Sequence, residues 1–123
     1  MPASYQIDKS LGVVFSVGSG VVTDAEMLRH QEQLRHDPDF QPTFSQLLDF
    51  NAMIEAQISA AAIQRLAGAG FFAKGARRAI VVNSDVAFGL ARMFQMHSDH
   101  SGEQIEIFRD LDKARQWLGL PPG

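Results

Sequence analysis

The run His97-Ser98-Asp99-His100 brings two imidazoles and a carboxylate together, donor types that hold zinc or a similar ion. A closed site needs four ligands, and no distant partner for this run stands out. It therefore also reads as a polar helix terminus, where histidine meets the last carbonyls favourably. Asp49, Glu55, Asn83, Ser84 and Asp85 form a second group. Asp49 ends one apolar run and Asn83-Ser84-Asp85 ends another. In an open α/β sheet this places them at the carboxyl rim of the strands, where such sheets take ligands. Carboxylates gathered there could do acid–base work. The plainer reading is that Asp49 bonds loop amides and Ser84 or Asp85 caps a helix. The rim supplies no histidine, lysine or metal, so no catalytic residue, cofactor or metal site is assigned. Gly18-Ser19-Gly20 lacks the further glycines and the acid of a dinucleotide fingerprint, and such glycines relax a bulge or bend. Neither a phosphate-binding P-loop nor a nucleophile elbow occurs.

The elements that must position these residues follow from periodicity. Tyr5–Asp8 and Val13–Gly18 read as strands joined by the turn Lys9-Ser10-Leu11-Gly12, an antiparallel hairpin. Thr23-Asp24-Ala25-Glu26 is a capping box opening a helix to about His36, with Met27 and Leu34 on its inner face. Pro38 and Pro42 bracket a loop. Phe44–Phe50 is a third strand whose adjacent Leu47 and Leu48 suit burial on both faces. Asn51–Ile58 reads as a loop or ragged helix start. Ser59 caps a short helix carrying Ile63, Leu66 and Ala67 inward, ended by Gly68 and Gly70. Ala79–Asn83 is a fourth strand, Ser84–His97 a third helix, Gln104–Arg109 a fifth strand, and Leu111–Leu118 a last helix. The order β-β-α-β-α-β-α-β-α predicts one α/β domain with a mixed, mostly parallel five-stranded sheet.

The bulk properties agree. The chain has 123 residues, 46% of them hydrophobic and 20% charged, which suits a single globular domain. A net charge of −3 offers no basic footprint for nucleic acid. Cysteine is absent, which excludes disulfide and thiolate chemistry. No signal-peptide pattern or membrane-length apolar run appears, so a cytoplasmic location and no membrane insertion are expected.

The third helix carries more apolar surface than one sheet contact needs. Val86, Leu90, Met93 and His97 recur at i, i+4, i+7 and i+11, and Ala87, Ala91 and Phe94 make a second stripe flanked by Phe88. Two uses follow: an interface with a second copy or another protein, or a pocket for an apolar ligand lined by Phe71, Phe72, Phe88, Met93 and Phe94.

Three further runs carry a family resemblance: Gly20-Val21-Val22-Thr23-Asp24-Ala25-Glu26, Leu47-Leu48-Asp49-Phe50, and Ala79 through Phe94. With the closing Ile107–Leu118, they make the chain resemble the STAS domain, the anti-sigma-factor-antagonist fold, and in particular the small bacterial STAS/Sec14-like proteins. The resemblance spans nearly the whole chain. It implies a non-enzymatic regulatory or interaction module, self-associating as a homodimer, or alternatively a small-ligand or lipid carrier. In antagonists of that fold a serine near the start of the helix after the third strand is phosphorylated, which makes Ser59 the corresponding hydroxyl. The usual Asp-Ser-Ser-Gly is replaced here by Ile58-Ser59-Ala60-Ala61, so the acidic neighbour and the glycine are missing.

Overall fold

A computed structural model describes residues 2–122. Strand β1 (Ala3–Asp8) turns through Gly12, whose φ of +66° suits glycine, into β2 (Val13–Thr23). Helix α1 (Asp24–Arg35) starts where the Thr23 side chain accepts from the Glu26 amide. Strand β3 (Ser45–Gln57), helix α2 (Ala60–Gly68), strand β4 (Arg77–Val81), helix α3 (Asp85–His97), a 3-10 turn (Asp99–Ser101), strand β5 (Gln104–Phe108) and helix α4 (Leu111–Trp117) complete the order.

The five strands lie side by side in chain order, β1-β2-β3-β4-β5. The first pair is antiparallel and the other three are parallel, as the element order predicts. Each βαβ crossover steps to the next strand in the same direction. Right-handed crossovers therefore carry α1, α2 and α3 to one face of the sheet. On that face Leu48, Ile80, Val82 and Ile105 pack with Ala87 and Ala91, and Val14 packs with Leu34, Phe72 and Ala76. The opposite face is covered by α4 alone, where Leu47, Ala79 and Val81 meet Ala114. Leu47 and Leu48 thus enter different cores, the condition of a central strand.

Two boundaries differ from expectation. Asn51–Gln57 is neither a loop nor a helix start but the second half of β3. It pairs with an equally extended β2 through Ser19↔Ala52, Val21↔Glu55 and Thr23↔Gln57. The polar, broken pattern of this stretch follows from its position: β4 flanks β3 only from Gln46 to Asp49, so the rest is paired on one side and half exposed. Strand β4 also begins at Arg77 rather than Ala79, because Arg78 finds buried partners described below. No helix of the described residues is long and apolar enough to cross a membrane.

Gly18 and Gly20 stand at the two places where the β2–β3 register shifts. A side-chain carbon on Gly18 would collide with the Phe50 ring, whereas one on Gly89 of α3 would meet nothing. Gly18→Ala is therefore expected to cost about 1–3 kcal/mol by overpacking. Gly89→Ala should gain about 0.5–1 kcal/mol from helix propensity. Thermal unfolding of the two variants checks the opposite signs.

Candidate functional site

Strand alternation places Ser16, Gln46 and Arg78 on the face that α1, α2 and α3 cover, beside Val14, Leu48 and Ile80. Helix periodicity places His30 between Met27 and Leu34 on the inner side of α1. All four polar residues are buried. They form one connected chain. Arg78 Nε donates to Gln46 Oε1 at 2.9 Å, Gln46 Nε2 donates to Ser16 Oγ at 3.0 Å, and Ser16 Oγ lies 2.9 Å from His30 Nε2. Arginine can only donate, so the Gln46 oxygen must face it and the Gln46 nitrogen must face Ser16. The serine hydroxyl keeps one hydrogen and one lone pair, so it meets His30 Nε2 as donor or as acceptor according to the imidazole tautomer.

The far end of this chain is an ion pair. Arg78 Nη1 donates to Glu103 Oε1 at 2.7 Å, and the two side chains are 9% and 2% exposed. Phe72 and Phe94 stack against the guanidinium, their ring centroids 4.2 and 5.2 Å from Cζ. Burial pulls the Arg78 pKa below its ordinary value and the Glu103 carboxylate opposes that shift. An arginine guanidinium stays protonated in proteins, so the pair is ionic. His30 is pulled down to about 4, first by burial and then by the charges of Arg78 and Arg29. At neutral pH it is uncharged.

Above this polar floor lies a cavity of about 90 Å3, partly open to solvent. Its walls are apolar: Leu48, Phe50 and Met53 from β3, Ile63 and Leu66 from α2, and Leu90, Ala91 and Phe94 from α3. His30, Gln31, Gln46 and Arg78 supply its polar side chains. A larger groove of about 490 Å3 at the other end of α3 is mostly polar and includes Asp99, Glu103 and Glu106.

The residues singled out from sequence separate into two groups. Phe71, Leu90 and Phe94 meet in the cavity wall. Phe72 lies beneath Arg78, and Phe88 is half-buried under the Arg109 guanidinium, 4.9 Å from the ring centre. Neither Phe72, Phe88 nor the half-buried Met93 lines the cavity. The rim residues are engaged locally. Asp49 Oδ1 accepts from the Asn51 amide at 2.9 Å, and Asn83 Nδ2 donates to the Asn51 carbonyl at 2.7 Å. Ser84 caps α3 by accepting from Ala87 N, and the exposed Asp85 accepts from Arg109. Glu55 is exposed and bonds Gln57. Ser59 caps α2 through Ala62 N while its hydroxyl donates to Asp24 Oδ2 at 2.7 Å. A phosphate on Ser59 would therefore meet the Asp24 carboxylate, a like-charge encounter. His97 and His100 are exposed, and Ser98 is buried with its hydroxyl on the Phe94 carbonyl. Among the described residues no group of three or more His, Cys, Asp or Glu is gathered to hold a metal ion.

Ser16, His30, Gln46, Arg78 and Glu103 carry the site, and none was singled out from sequence. The signal was present for three of them. Arg78 falls in phase with Ile80 and Val82, Gln46 precedes the Leu47-Leu48 pair, and His30 falls on the Met27–Leu34 stripe, whereas Ser16 shares the less apolar phase of its strand with Val14 and Gly18. A polar side chain at an inward position announces a buried partner. No family model matches this chain, and a search of curated proteins finds no match.

A buried neutral histidine makes stability depend on pH. Between the unfolded value of 6.5 and about 4, the unfolded chain binds a proton at His30 that the folded chain does not. Stability therefore rises with pH through this window, and acidification from pH 7 to 4 should remove roughly 3 kcal/mol. Denaturant unfolding at a series of pH values reads this slope, and His30→Gln should flatten it.

Proposed function

We propose that this protein is a non-catalytic module that binds a small apolar molecule between its sheet and the three helices of one face. The observation that carries the reading is the apolar cavity bounded by Leu48, Leu90, Ala91 and Phe94 in an otherwise closed core. Protein interiors are packed at crystal density, and an unfilled apolar space forfeits the contacts of its lining, so an occupant would recover them. The element order, which agrees with that of the STAS-like resemblance, supports a carrier or regulatory role over a catalytic one. The rim carboxylates support the same choice, since each of those with a described partner bonds a neighbouring side chain or amide.

Self-association is the second reading. Leu90 and Phe94 face inward, so a second copy would have to use the exposed apolar residues of α3, Val86 and Met96, which are 69% and 64% exposed. Light scattering across a concentration series tests this, and Met96→Glu should then shift the mass toward that of the monomer. An unchanged mass removes α3 as the interface.

For the binding reading, Ala91→Leu fills the cavity from α3. Titration with isobutane, followed by chemical shifts of the Leu90 and Ile63 methyls, should show saturable binding to the parent chain. The filled variant should bind at least tenfold more weakly while unfolding at a similar or higher temperature. Equal binding by both chains would overturn the assignment of the cavity.

A further inference from the structure

Resting on the cavity reading above, we infer that the occupant carries a neutral hydrogen-bond acceptor, a carbonyl oxygen, which docks on Nη2 of Arg78. A guanidinium has five N–H groups in one plane. In Arg78, Nε is taken by Gln46 and Nη1 by Glu103, while Nη2 has no acceptor among the described residues. The residue is only 7% exposed, yet no fully buried side-chain nitrogen among the described residues lacks a partner, so Nη2 keeps accessible surface of its own. Phe72 and Phe94 crowd the guanidinium, and its N–H groups point outward in their own plane, which is where an acceptor meets them. Arg78 is also part of the cavity wall. A donor with no protein acceptor in the wall of an apolar cavity is met by water or by an acceptor on whatever occupies the space.

Charge decides which acceptor. The Arg78 cation is already matched by Glu103, which is itself buried. Of the other polar groups in the wall, Gln31 and Gln46 are uncharged and His30 is held neutral. A carboxylate would add a buried anion without a counter-charge, whereas a ketone, ester or amide oxygen takes the same N–H bond and adds no charge. Size narrows the class further. The cavity is smaller than the roughly 150 Å3 that accommodates benzene in a protein core. A short or branched carbonyl compound fits, or the carbonyl end of a longer chain leaving through the open side.

Three small probes of similar shape, isobutane, acetone and acetate, separate the possibilities by NMR titration at pH 7. The ketone should bind at least tenfold more tightly than the alkane, and the carboxylate more weakly than the ketone. Arg78→Met alone would strand Glu103 in the core, so the paired variant Arg78→Met/Glu103→Met is used, which removes both charges. It should bind ketone and alkane equally. If that variant does not fold, the order of the three probes on the parent chain still decides. Ketone and alkane binding alike to the parent chain would overturn the role of Arg78 and leave the cavity reading standing. Tightest binding by the carboxylate would overturn the neutral class. Absence of binding by all three would overturn the cavity reading, and this inference with it.

Discussion

The guanidinium of Arg78 is the constraint around which one half of the molecule is arranged. Removing an arginine and a glutamate from water costs several kcal/mol per ion, and their attraction offsets this only when the remaining donors are met. Here the compensation comes from all around it: Glu103 just before β5, Gln46 on β3, Phe72 ahead of β4 and Phe94 on α3. Through Gln46 the same network reaches Ser16 on β2 and His30 on α1. One charge therefore ties together four strands or their approaches and two helices. Such networks reward one arrangement, because a slip in any strand register would leave a buried polar group without its partner.

The two sides of the sheet are held by different physics. The face under α4 is closed by aliphatic and aromatic packing at its centre, with Phe108 and Trp117 at its border, where the Trp117 carbonyl accepts from Arg77. The other face combines apolar packing with the polar chain and leaves space between them. Helix α3 explains the difference. Its small residues Ala87 and Ala91 approach the sheet closely, while Leu90 and Phe94 reach sideways toward α2 and the cavity. The surplus apolar surface visible in the sequence is in large part consumed inside the molecule.

Much of the architecture was legible because it rests on local signals. The caps at Thr23, Ser59, Ser84 and Asp110 each bond the amide of their own first turn, a preference that operates whatever the rest of the chain does. The second half of β3 was not legible, since Asn51–Gln57 is paired on one side only and lacks the apolar run of a central strand. The polar network was not legible as a site because its members are scattered, with Ser16 and Glu103 at opposite ends of the chain. Period-2 reasoning puts Arg78 inward, but only the fold says that Glu103 waits there. The chemically suggestive His97–His100 run and the rim at Asp49 and Asn83–Asp85 proved easier to see and more ordinary, each residue with a described bond serving a cap, a turn or a surface pair.

A sheet whose strands stand in the order of synthesis is built from one edge to the other as the chain leaves the ribosome, since domains emerge amino end first. The hairpin, α1 and β3 can assemble early, with Ser16, His30 and Gln46 still hydrated on an unfinished face. Glu103 emerges only after α3, and until then Arg78 has nothing to neutralise it. The final strand is thus the latch, and a chain truncated before it would keep a wet, open trough where the finished protein has a dry interior.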